Sequence, residues 1–159
     1  MPYLYRECHA LANYDDKFVY ATGGREHVVN GGGVRSVERL SIVFRRWEQV
    51  QPMNIGRSLH GSCALGNSIY VFCGLTSFMK HTNSIEKLVV DGPYARWEKW
   101  ELIEFPLNTF PVNRSFNCAA LNSHEIVLLG GVFVDGEFAE LNQDVYVFDT
   151  RTKTTSKMG

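Results

Sequence analysis

Two stretches decide the fold: RSLHGSCALGNSIYVFCG, from Arg57 to Gly74, and RSFNCAALNSHEIVLLGG, from Arg114 to Gly131. In each, arginine and closing glycine lie 17 residues apart, and no gap is needed to align them. A third stretch, RECHALANYDDKFVYATGG from Arg6 to Gly24, carries one insertion. The closing glycines fall at positions 24, 74 and 131, spacings of 50 and 57. Self-similarity at about 50 residues marks a propeller or solenoid, whose units bury their apolar faces against one another. It also turns the functional question from catalysis toward recognition.

Within each unit the pattern predicts four short strands. The first follows the arginine, at Leu59 to Leu65 and Phe116 to Leu121, and ends in a polar turn such as Gly66-Asn67-Ser68. The second is almost wholly apolar: Phe18 to Ala21, Ile69 to Cys73, Ile126 to Leu129. A short run apolar on both faces belongs in a sheet packed on both sides. Closing glycines supply positive φ for a sharp turn, and Cys73 stands where the other units have the first of two glycines. A variable polar loop leads to the third strand at Ser36 to Leu40, Ser84 to Leu88 and Asp144 to Phe148. The fourth carries Trp47 in one unit and Trp97 or Trp100 in the next, while the third unit has Thr155 near that position. No helical period is sustained anywhere, so the fold class is all-β.

These residues resemble the kelch repeat: an arginine before the inner strand, an apolar strand ending in glycines, a third strand and a late tryptophan. The match runs from about Arg6 to Met158 and divides the chain into blades at 1–55, 56–112 and 113–159. The resemblance implies a kelch-type β-propeller of about three four-stranded blades. Propellers use about 4–8 blades, so three leave two blade faces uncovered. The expectation is a piece of a longer propeller or, as the alternative, two half-rings that associate.

Composition narrows the chemistry. Hydrophobic residues make up 45% and charged residues 21%, which suits a globular chain. The net charge is -1, with no basic stripe for nucleic acid. No leader pattern and no membrane-length apolar run is visible, the longest being nine residues from Ile126 to Val134. Cys8, Cys63, Cys73 and Cys118 lack paired spacing and read as reduced thiols in a cytoplasmic protein. His60 and Cys63, three apart in a strand, fall on opposite faces, so no metal site is expected. Gly31-Gly32-Gly33 lacks the lysine and helix of a phosphate loop. Asp15-Asp16 reads as a solvated turn, and no cofactor is expected.

By position, the resemblance places a binding mouth at residues just past each repeat arginine and in the loops after the second strands. That selects Arg6, Glu7 and Cys8; Arg57, Ser58 and Leu59; Arg114, Ser115 and Phe116. Arg25 and His27 with Glu26, and the loop from Ser77 to Lys80, join them. Arginine could grip carboxylates and phenylalanine anchor a partner, or the arginines could instead link neighbouring blades. The expected function is a non-catalytic module presenting loops to a protein or peptide partner, an adaptor or scaffold. The alternative is a fragment of a kelch-like enzyme, of the galactose-oxidase or sugar-epimerase type. Such a copper site needs convergent tyrosine, histidine and cysteine, whereas Tyr70 and Tyr146 sit in strands and look structural.

Overall fold

The computed structural model describes residues 5–26, 32–76, 80–90, 100–103, 115–135 and 138–159. It is all-β, with no helix among them and hence none long and apolar enough to cross a membrane. Three four-stranded antiparallel sheets follow one another along the chain. Sheet 1 holds β1 (Ala10–Tyr14), β2 (Phe18–Thr22), β3 (Val37–Ser41) and β4 (Arg46–Val50). Sheet 2 holds β5 (Gly61–Leu65), β6 (Ser68–Phe72), β7 (Ile85–Val89) and β8 (Trp100–Ile103).

The third unit departs from its expected loop. Its sheet 3 is β9 (Asn117–Ala120), β10 (Glu125–Leu129), β13 (Val145–Asp149) and β14 (Thr154–Lys157). Between β10 and β13 the chain forms a separate hairpin, β11 (Val132–Asp135) with β12 (Phe138–Leu141). The polar loop anticipated there is therefore a pair of strands. Val132, Phe133 and Val134 are β-branched and aromatic residue types, which favour extended backbone.

The first strands lie side by side, β1 against β5 and β5 against β9. Sheets 1 and 2, and sheets 2 and 3, pack face to face, and β6 explains how. Every residue from Ser68 to Phe72 is buried. Side chains alternate across a strand. Ile69 and Val71 thus join Ala12, Tyr20, Val37 and Met53 in one core, between sheets 1 and 2. Tyr70 and Phe72 join Phe116, Ile126, Leu128 and Phe148 in the other, between sheets 2 and 3. Phe72 meets Phe148 edge-on at 5.6 Å between ring centroids, a favoured aromatic geometry.

Register settles which tryptophan holds the outer strand. Leu40 pairs with Trp47, and Leu88 pairs with Trp100. Trp100 is thus the equivalent of Trp47, while Trp97 lies outside the described residues. In sheet 3, Phe148 pairs with Thr155, which occupies the same place without an aromatic ring.

The two described repeat arginines, Arg6 and Arg57, each knit their own unit together. Arg57 donates to the carbonyls of Cys73 (2.8 Å) and Ser84 (3.0 Å) and to Glu86 (2.7 Å). Both side chains of that ion pair are wholly buried. Glu86 also accepts from the amides of Asn54 and Ile55, which fixes the chain entering sheet 2. Arg6 repeats the arrangement with Gly23, Ser36 and Glu38. Gly33 completes the junction, because a Cβ there would lie 2.4 Å from the Arg57 Cα. That close approach accounts for a glycine at this position.

Candidate functional site: the mouth where three sheets meet

A cavity of about 280 Å³ opens where the three sheets converge. Its lining follows the repeat. The second residue after each repeat arginine contributes Cys8, Leu59 and Phe116, and the third contributes His9, His60 and Asn117. Ser115, Gly131 and Val132 complete the sheet 3 side. None of these side chains is an acid, a lysine or an arginine.

Local backbone builds this concavity. Cys8 and Leu59 both adopt left-handed φ, +55° and +52°. For a non-glycine residue that conformation costs roughly 1–2 kcal/mol. It recurs because Glu7 bridges Arg25 and Ser58 bridges Leu75 immediately before, so the chain must turn sharply to start the inner strand. Leu59 also donates its amide to the Cys8 carbonyl at 2.9 Å, coupling units 1 and 2 at the rim. Its side chain remains 45% exposed beside the cavity.

His60 is the buried polar element of the mouth. Its Nε2 lies 2.9 Å from the Thr22 hydroxyl, so the ring joins sheet 2 to sheet 1. Burial, reinforced by the Arg57 charge, pulls its pKa down to about 3 and keeps the ring neutral. Its Nδ1 is buried without a hydrogen-bond partner among the described residues. Across the interface on the opposite side of β5, Cys63 faces Cys118, whose thiol is held well above its usual range by hydrogen bonding to Cys63 and by burial. Cys73 is likewise pushed up to about 12 by burial. These thiols are packing groups, poor as thiolate nucleophiles.

The residues expected at the mouth divide into three groups. Cys8, Leu59, Ser115 and Phe116 line the cavity together. Glu7 and Arg25 pair at 2.9 Å nearby, and Ser58 is buried in its bridge to Leu75. Arg6 and Arg57 are a correction to the expectation that guanidinium groups grip a partner. Their side chains are 3% and 0% exposed and are committed to Glu38 and Glu86. Their guanidinium groups bond within their own unit, whereas the Arg57 backbone joins unit 1 to unit 2, its carbonyl accepting from the Gly24 amide at 2.8 Å and its amide donating to the Val34 carbonyl at 3.2 Å. Arg114, His27 and the segment 77–79 lie outside the described residues.

His9, His60 and Asn117 were not anticipated. The signal was present, because they form the next column of the aligned repeats. Among the described residues, one group with metal-ligand spacing occurs, His124, Glu125 and Asp149, at the opposite end of sheet 3. Asp149 there bonds Arg151, and Glu125 bonds Asn122. Tyr70 and Tyr146 are buried core residues. No protein-family model matches the chain, and no curated protein matches it.

Proposed function

We propose that the chain is a non-catalytic protein-binding module, a kelch-type β-propeller portion that presents the three-sheet mouth to a peptide or protein partner. The observation that carries this reading is the cavity itself. Its lining comes from corresponding positions of all three repeats, and two of them hold a strained left-handed backbone. Strain of that kind persists where surrounding structure over-determines it, often at ligand sites. The partner would meet a neutral, largely apolar surface, with Leu59 exposed as an anchor and the Glu7–Arg25 pair near the rim. Rigid sheets beneath would keep the ordering cost of binding low. Cytoplasmic adaptor or scaffold work fits such a module.

Selection of displayed peptides on the purified chain tests the reading. Selected peptides should bind the parent chain and lose at least tenfold affinity for Leu59→Asp. They should bind Thr152→Asp, altered at the far end of sheet 3, as the parent does. Equal binding to both variants would place recognition elsewhere and overturn the mouth.

A further inference from the structure

Each sheet has a leading face, turned toward the preceding sheet, and a trailing face, turned toward the following one. The leading face of sheet 2 carries Ile69, Leu88 and Trp100, buried against the trailing face of sheet 1. Trp100 Nε1 donates to the Gln51 carbonyl of the intervening chain at 2.9 Å. Register places Val19, Leu40 and Trp47 at the same positions on the leading face of sheet 1. They are only partly buried there, and Leu11 beside them is 55% exposed. Trp47 Nε1 has no partner among the described residues. The adjoining turn adds Ile42, Val43 and Phe44, exposed by 44%, 72% and 75%.

The opposite end of the stack offers the complement. On the trailing face of sheet 3, Val127, Leu129 and Val145 stand where sheet 2 has Tyr70, Phe72 and Ile85. Leu129 is 42% exposed, against 0% for Phe72. Gly23 in sheet 1 abuts the Arg57 carbonyl and His60, whereas its equivalent Gly130 has nothing within 4 Å among the described residues. Among the described residues, one copy therefore carries an uncovered leading face and an uncovered trailing face of the kinds that already pack within the chain.

We propose that two copies associate head to tail, the trailing face of sheet 3 in each covering the leading face of sheet 1 in the other. The contact would reproduce the packing of sheet 1 on sheet 2, with Trp47 taking the place of Trp100. The pair then has two such contacts, and each copy's leading and trailing face is used once, so two copies leave neither uncovered. A contact between unlike faces closes only when the rotation permits, which makes the number of copies a direct readout.

Light scattering after gel filtration tests this on the full chain. The expected species has twice the 18.0 kDa chain mass. Trp47→Lys and Leu129→Lys should each run at the single-chain mass with unchanged circular dichroism. Mixing the two variants should restore a paired species, because one contact then joins two unaltered faces. A monomeric parent chain at tens of micromolar would overturn the proposal. So would pairing that survives Leu129→Lys, which would point to like faces meeting. Larger assemblies dispersed by both substitutions would retain the head-to-tail contact and overturn the count of two. The Leu59 and Thr152 substitutions are predicted to leave the mass unchanged, so this test and the mouth test fail independently.

Discussion

Phe72 and Leu129 occupy the same place in successive repeats, at the end of the central apolar strand. One is fully buried and the other is 42% exposed. Their neighbours differ in the same sense: Ile85 is buried, Val145 only partly. Strand order and pairing are alike in sheets 2 and 3. Local sequence has therefore built the same sheet twice, and the difference in burial comes from the neighbours. Sheet 2 is covered on both faces, while sheet 3 is covered on one among the described residues.

The sharpest way to test that contrast is at the buried charges. Glu86→Ala would strand Arg57, with both side chains at 0% exposure, and should cost about 3–5 kcal/mol by urea denaturation. Replacing both partners, Arg57→Met with Glu86→Leu, should recover much of that loss. Sheet 3 has Tyr146 in the corresponding position, bonded to Asp144 at 3.0 Å. Tyr146→Phe should cost only about 1 kcal/mol. Equal losses for Glu86→Ala and Tyr146→Phe would mean that the two repeats are braced alike.

The apolar positions give the next effect. Phe72→Ala should cost about 3–5 kcal/mol, because it empties the core between sheets 2 and 3. Leu129→Ala should cost about 1 kcal/mol or less when the protein is dilute enough to keep copies apart. A loss at Leu129 as large as at Phe72 under those conditions would show that its face is already covered within one chain.

Much of this fold was legible because it rests on two-residue alternation repeated three times. The β6 run, apolar at consecutive positions, announced a sheet with two partners. The tryptophan register was not legible, since Trp97 and Trp100 lie three residues apart and an odd shift changes the face of a strand. Only the pairing of Leu88 with Trp100 decides it. The arginines misled for a different reason. A charged side chain reads as exposed until its partner is known, and Glu38 and Glu86 lie 32 and 29 residues away. His60 escaped notice because its meaning lies in Thr22, 38 residues back in another sheet.

That histidine makes the junction of sheets 1 and 2 sensitive to pH. Its folded pKa, about 3, lies below the ordinary value of 6.5 for the unfolded chain. Between those values the unfolded state binds the extra proton, so stability falls as pH falls from about 6.5 toward 3. The slope from this group approaches about 1.4 kcal/mol per pH unit in the window and vanishes above it. His60→Gln, which keeps a hydrogen-bonding group but cannot titrate, should flatten that part of the urea-midpoint profile. An unchanged profile would place the sensitivity elsewhere.

The smallest effect is the most selective. Gly23, Cys73 and Gly130 share one left-handed position, with φ of +55°, +56° and +64°. Cysteine at the middle one shows that the position demands the conformation without demanding glycine. Asparagine tolerates that region, so Gly130→Asn should change stability by no more than about 0.5 kcal/mol in dilute solution. At Gly23 the same change drives a Cβ to 2.3 Å from the Arg57 carbonyl, and should be clearly destabilising. The comparison then reverses with concentration. If sheet 3 of one copy covers sheet 1 of another, Gly130 meets the Arg6 carbonyl of that copy as Gly23 meets that of Arg57. Gly130→Asn would then weaken pairing while leaving the single chain intact. An effect on dilute-chain stability equal to that at Gly23 would remove the distinction between the covered and uncovered ends of the stack.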